Sequence, residues 1–389
     1  MTATLPRRVL LGAELPGDDE AFTVDGVRIV DVVPGGMADR AGILPGDTLI
    51  TLAGTQVRDL CELAVALRRA GAASMAELVY LRGGERVART VETVAMPAEQ
   101  VDCAIVDYGM LEVAGARLRT IESRCGSPRA LVLVIQGIAC ESVDHAASPD
   151  APLAMLVAEL ARAGYDTLRF DKRGVGDSEG GPCRDIDFET ELADARAAVA
   201  LAADRARSRG IPLVILGHSV GGIIAPLVAQ QARTLAGIVV YGTPVMRWID
   251  CLVDSTRRQL ELRGASEAEI VHREDEMRAL ADRGELNGRS AAYHRQLAAV
   301  DIEGAWRTVE VPVLVVRGEH DWVVRADDQA RIASLARAAT TIVDVPGLDH
   351  LFGWHADHEA SLRDYGIGRA DESLSTALCR WLDPLSSAP

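Results

Sequence analysis

The segment Gly217-His218-Ser219-Val220-Gly221-Gly222 follows the apolar run Ile211-Pro212-Leu213-Val214-Ile215-Leu216 and precedes a helix-like run from Ile223 to Ala229. That order predicts strand, sharp turn, helix. A serine at the apex of such a turn is held in a strained backbone conformation with its hydroxyl outward, and flanking glycines remove the side chains that would collide there. A serine hydroxyl is a poor nucleophile near neutral pH, so it needs a base, and the base needs an orienting acid. When the serine sits on a turn of this kind, the acid and then the histidine follow it in the chain. The apolar run 311–316 leads into Arg317-Gly318-Glu319-His320-Asp321-Trp322. Asp321, just past the strand end, is the expected acid, and Glu319 is the weaker candidate. The run ending at Val345 leads into Pro346-Gly347-Leu348-Asp349-His350. His350 is the expected general base, because His355 and His358 lie farther from the strand. His218 is expected to point away from Ser219 around the turn and to play a supporting part.

Attack on a carbonyl creates an oxyanion, which needs fixed N–H donors. One expected donor is the backbone N–H of Val220. The other comes from the loop Gln136-Gly137-Ile138-Ala139-Cys140 after the apolar run 130–135, with Ile138 preferred and Gly137 as the flexible alternative. Cys140 has no turn of the Ser219 kind around it and reads as structural.

These loops require a parallel sheet to carry them. Apolar strands and helices alternate: strand 130–135, helix 152–164, strand 166–170, helix 187–208, strand 212–216, helix 220–232, strand 236–241. Such alternation predicts crossover helices on a parallel sheet. Two stretches, 107–113 and 117–122, read as an antiparallel lead-in. Residues 245–307 are helical and charged and interrupt the pattern. It resumes at 311–316, with a helix near 326–338, strand 341–345 and a last helix near 372–382.

With Phe170-Asp171-Lys172-Arg173-Gly174-Val175-Gly176-Asp177-Ser178 added, residues 97–389 resemble the α/β-hydrolase superfamily, nearest the serine aminopeptidase-like (S33-type) and esterase families. The resemblance implies a mostly parallel sheet with helices on both faces and a helical lid at 245–307. It implies a Ser219, Asp321 and His350 triad, an oxyanion hole at Ile138 and Val220, and no cofactor or metal. It also implies that Asp171 and Arg173 brace loops. Gln136 departs from the His that many relatives carry before the oxyanion glycine.

Residues 1–96 form another unit. The phrase Val33-Pro34-Gly35-Gly36-Met37-Ala38 with Ala41-Gly42-Ile43-Leu44-Pro45-Gly46-Asp47, a helix after Asp59 and a hairpin at 78–94 resemble a bacterial PDZ domain. The fold expected overall is therefore an α/β-hydrolase domain preceded by a small, β-rich PDZ-like domain. In the PDZ family a chain terminus adds as a strand and its carboxylate sits in a nest of N–H groups. The matching loop is Leu10, Leu11, Gly12 and Ala13.

The net charge of −16 argues against nucleic acid and anionic membranes as partners. No apolar run reaches membrane-spanning length. Seven scattered cysteines with no C-x-x-C suggest neither a zinc site nor a disulfide framework, so a reducing, cytoplasmic setting is expected. Lysine occurs once, at Lys172, among 41 basic residues, and this reads as genomic bias. The expected activity is serine hydrolysis of an ester or amide, on a small molecule or a peptide, with a peptide C-terminus or protein partner docked on the first unit. An acyltransferase, thioesterase or cyclase would use the same acyl-enzyme. A non-catalytic scaffold is disfavoured because all three triad roles are filled in order.

Overall fold

The computed structural model describes residues 5–15, 22–23, 26–232, 234–283 and 286–385. Eight strands form the sheet of the second unit: β1 (Ala104–Val113), β2 (Ala116–Cys125), β3 (Ala130–Ile135), β4 (Tyr165–Phe170), β5 (Leu213–His218), β6 (Leu235–Tyr241), β7 (Val313–Gly318) and β8 (Thr340–Val345). Their order across the sheet is β8-β7-β6-β5-β3-β4-β2-β1. Strands β3 to β8 run parallel, and β1 and β2 are the antiparallel lead-in. All six residues of β3 are buried, as expected of a strand covered on both faces.

One core lies between the sheet and the helices Phe188–Arg209 and Val220–Ala229, and continues under the lid through Trp248, Tyr293 and Trp306. The opposite face packs on Pro152–Arg162 and Glu372–Leu385. Local chemistry sets the helix ends. The Asp187 side chain accepts from Thr190 N–H to start its helix, and Gly210 ends it in the left-handed conformation at φ 66°. The lid region holds helices Trp248–Leu262, Glu267–Arg283, Ala291–Ala298 and Ile302–Trp306. The helix expected near 326–338 is two short ones, Ala326–Ala330 and Ile332–Leu335. A helix at His358–Arg363, capped by the Asp357 side chain, was not foreseen from the pattern.

The first unit has its own sheet, in the order Phe22–Thr23, Gly26–Arg28, Thr48–Leu52, Met75–Arg82, Glu85–Glu92. The segment 27–33 is split between two pairings: Gly26–Arg28 lies beside Thr48–Leu52, and Asp31–Val32 pairs with Ala13–Glu14. Helix Leu60–Ala70 starts where Asp59 accepts from Glu62 N–H. A separate core gathers Val9, Leu11, Val27, Ile29, Leu49 and Tyr80. No helix among the described residues is long and apolar enough to cross a membrane.

An ionic seam joins the two units. Arg7 Nη1 lies 2.5 Å from Asp144 Oδ2 and 2.7 Å from Asp177 Oδ2. Arg8 N–H donates to Asp177 Oδ1 at 2.8 Å. Buried Arg119 on β2 donates from Nε to Asp177 Oδ2 at 3.0 Å and from Nη2 to Leu5 O at 2.6 Å. Arg68, on the helix of the first unit, donates to Gly174 O at 2.8 Å. Removing one member of a buried charge cluster leaves its partner uncompensated. Arg119→Met should lower the unfolding free energy by about 3 kcal/mol in urea titrations. An unchanged midpoint would show that the seam contributes nothing to stability.

Candidate active site

Ser219 stands at the end of β5 with φ 54° and ψ −122°, a positive φ that only a well-braced non-glycine residue keeps. Its N–H donates to Tyr241 O at 2.9 Å, which ties the apex to β6. The glycines explain why the chain can turn here. A Cβ on Gly217 would lie 2.6 Å from Gly221 O, one on Gly221 2.0 Å from Ile135 O, and one on Gly222 1.9 Å from Thr243 Oγ1. Each approach is below any real contact distance, so the turn closes only on hydrogen atoms.

The expected acid and base meet. His350 Nδ1 lies 3.0 Å from Asp321 Oδ2, and both side chains are buried. Burial alone would push the Asp321 carboxyl up. The facing His350 and the N–H groups of Val323 and Val324 overcome it and hold the group below the ordinary carboxylate value. Asp321 Oδ1 accepts those two N–H groups at 2.8 and 3.0 Å, which fixes the orientation of its carboxylate. Gly242 backs the pair, since a Cβ there would lie 2.7 Å from His350 Nδ1. Ser219 Oγ has no hydrogen-bond partner among the described residues, so the link from imidazole to hydroxyl is not formed. Catalytic hydrogen bonds of this type commonly tighten only when substrate is bound.

The alternatives have other roles. Glu319 accepts Gly347 N–H at 2.9 Å and so shapes the loop before the base. His355 Nε2 lies 3.0 Å from Asp349 Oδ2, while Asp349 Oδ1 accepts the N–H groups of Leu351 and Gly353. Tyr241 Oη donates to Asp349 O at 2.5 Å. The Asp349–His355 pair thus braces the turn carrying His350, a role that sequence order alone did not reveal. His358 packs edge-on against His320 with ring centroids 5.0 Å apart. His218 supports the site, with Nε2 2.8 Å from the His350 carbonyl oxygen. Burial, reinforced by the neighbouring His350 ring, pushes its pKa down to about 3, so it is neutral and its Nε2–H donates.

The loop 136–140, expected to supply an oxyanion donor, lies against the turn at Ser219. A Cβ on Gly137 would be 3.1 Å from Ser219 Cβ. Val220 is the first residue of its helix, so its N–H has no intrahelical acceptor. Ile138 is half-buried and packs against the core cluster that contains Val220. Asp171 holds the following residues, accepting Val143 N–H at 2.7 Å and Ser142 Oγ–H at 3.0 Å. Arg173 pairs with Asp194 at 2.8 Å. The cysteine reading needs correction: Cys140 and Cys183 form a disulfide. The two are 43 residues apart, and only the fold brings the loop 136–140 beside the segment after Pro182. The Cys140–Cys183 bond removes the basis for expecting a reducing setting.

The model of the family described as serine aminopeptidase, S33, matches residues 126–353, which is more than half of the chain. The chain belongs to the serine aminopeptidase S33 family. A PDZ-domain model matches residues 28–82, so this S33 hydrolase carries a PDZ domain ahead of its α/β-hydrolase fold. The protein YfhR of Salmonella typhi is 26% identical over 226 residues, 57% of this chain and 66% of that protein. The putative serine protease HhoA of Synechocystis is 39% identical over 70 residues, 18% of each. The chain therefore spans less than two thirds of the length of these curated relatives. Among solved structures, a soluble variant of monoglyceride lipase from Saccharomyces cerevisiae superposes with TM-score 0.52 at 17% identity, covering 75% of this chain and 100% of that one. Est1E from Butyrivibrio proteoclasticus, solved with ferulic acid, gives TM-score 0.50 at 19% identity, covering 72% and 99%. At these identities the likeness is one of fold.

Gly221→Ala should abolish folded protein or destabilise it by about 4 kcal/mol or more, because its Cβ would meet backbone rather than a mobile side chain. Gly126→Ala, with nothing within 4 Å of the added Cβ, should leave the urea midpoint nearly unchanged. Equal behaviour of the two variants would contradict the close-contact account of the turn.

Proposed function

We propose that the protein is a serine hydrolase acting on an ester or amide through an acyl-enzyme. Ser219 Oγ attacks the carbonyl carbon, and its proton passes to His350 Nε2. Asp321 orients the imidazole through Nδ1 and stabilises it once it is charged. The N–H groups of Ile138 and Val220 receive the oxyanion. His350 returns the proton to the leaving group, and water activated by the same histidine releases the acyl group. The single observation that carries this reading is the Asp321–His350 pair at 3.0 Å, buried behind a serine held at positive φ.

The PDZ domain is proposed to dock a peptide terminus, which favours a peptide-bearing substrate or a protein partner. In the loop Leu10–Ala13 the carbonyl groups of Leu10, Leu11 and Gly12 accept Met37, Ala38 and Val33 N–H groups at 3.3, 2.8 and 2.9 Å. The N–H groups of Leu11 and Gly12 donate to no acceptor among the described residues. Gly12, at φ 67°, would place a Cβ 2.7 Å from Gly36 Cα, so only glycine lets the loop lie this close to the turn. Outward N–H groups with inward carbonyls suit a carboxylate.

A fluorophosphonate should label the native protein and not Ser219→Ala, read by intact mass. Asp321→Asn should lower kcat for a p-nitrophenyl ester by about ten-thousandfold. Labelling that survives loss of Ser219 would overturn the nucleophile assignment. For docking, fluorescence anisotropy should show binding of peptides with a free C-terminal carboxylate and none of the same peptides amidated. Equal binding would remove the carboxylate nest from the account.

A further inference from the structure

Lys172 is the one lysine of this chain, against 40 arginines (41 basic residues less one). It follows β4 and is buried. Its ammonium donates to the carbonyl oxygen of Gly137 and lies 3.1 Å from Glu191 Oε1. Glu191, on the helix Phe188–Arg209, is also held by the guanidinium of buried Arg289. Tyr293 Oη donates to Glu191 Oε1 at 3.3 Å. Arg289 and Tyr293 come from the lid region, and Arg289 Nη1 also lies 3.1 Å from Cys183 Sγ of the disulfide. The catalytic steps above use none of these groups.

Gly137 and Ile138 share one peptide group. In a trans peptide the C=O and the N–H point to opposite sides of the plane. A cation that holds the Gly137 oxygen therefore turns the Ile138 N–H the other way, and polarises it as a donor. We propose that Lys172 is the positioning residue of the oxyanion hole, its ammonium locking the Gly137–Ile138 peptide so that the Ile138 N–H meets the charge developing on the attacked carbonyl. The inference rests on Ser219 being the nucleophile. Lysine suits the place because its compact ammonium serves a carbonyl and a carboxylate together in a closed space, whereas a planar guanidinium is larger and differently shaped. Cys140, bonded to Cys183, fastens the far end of the same loop.

The charged and titratable groups that act on the ammonium are Glu191 on its helix, Arg289 from the lid region, Glu141 after the loop 136–140 and His218 beside Ser219. Burial pushes the ammonium pKa down to about 8, with Glu191 opposing and Arg289 adding to the fall. The charge is complete below that pH and is lost as pH rises through it.

The test uses the full chain, p-nitrophenyl esters and fluorophosphonate titration of active sites. For Lys172→Met, kcat per titrated site should fall about 10- to 100-fold, less than the loss of a whole donor, with KM nearly unchanged. Affinity for a trifluoromethyl ketone, whose adduct mimics the oxyanion, should fall by a similar factor. Native kcat should decline as pH rises through about 8, and neither Lys172→Met nor Lys172→Arg should show that limb. A Lys172→Met protein with fewer titratable sites but native kcat per site would overturn the proposal, leaving the lysine structural only. If that variant does not fold, a limb that persists in Lys172→Arg overturns it equally. Native turnover in Ser219→Ala would overturn the nucleophile reading, and the proposal with it. Loss of turnover in Ser219→Ala together with native turnover per site in Lys172→Met would overturn the lysine proposal alone.

Discussion

Everything at the candidate site depends on a backbone contact: the helix after Ser219 is pressed onto the end of β3 at Gly221 and Ile135 O. The contact draws together two pieces of chain that the sequence keeps 86 residues apart, and a side chain there would hold them separated. It places the start of the helix beside the loop leaving β3, so the Val220 N–H and the Gly137–Ile138 peptide share a patch with the serine. The strain at Ser219 is held by register, because His218 lies opposite Tyr241 in the parallel pair of β5 and β6. A serine on a looser turn would relax into an ordinary conformation and turn its hydroxyl elsewhere.

Around that contact, buried carboxylates behave differently according to what faces them. Asp321 faces an imidazole and two N–H groups, and its carboxyl is held low. Asp171, equally buried, faces N–H and hydroxyl donors with Arg8 at longer range, and burial pushes it up to about 6. Burial of Asp349 also raises its pKa, even though it faces His355 and two N–H groups. The three acids hold His350, the residues Ser142 and Val143, and the turn carrying His350 respectively. Hydrogen bonds at 2.7 to 3.0 Å give each a single orientation. This division lets one narrow region contain charge without collapsing into nonspecific pairing.

Much of this was legible from the chain alone. The turn at Ser219, the carboxylate after β7 and the histidine after β8 follow a fixed order along an alternating pattern, and the parallel pairing of β7 with β8 brings Asp321 and His350 together. Strand ends moved by one to three residues because terminal turns follow hydrogen bonds that hydropathy does not encode. The Cys140–Cys183 bond was missed because its two partners share no local spacing. The Asp349–His355 brace was hidden for a related reason: both residues sit in one loop, and their pairing depends on how that loop folds back on itself. Lys172 was visible as a compositional oddity, but its reach to Gly137 O is a property of the packed interior.

The same composition has a practical consequence for handling the molecule. The chain's only ε-amino group is buried under the sheet's loops, so its outer surface presents no primary amine from a side chain. Acylating dyes, amine cross-linkers and enzymes that acetylate or ubiquitinate lysine find no accessible side-chain target along it. The positive charge this surface offers a partner is carried by guanidinium groups, which favour planar, forked contacts with carboxylates over point-charge attraction.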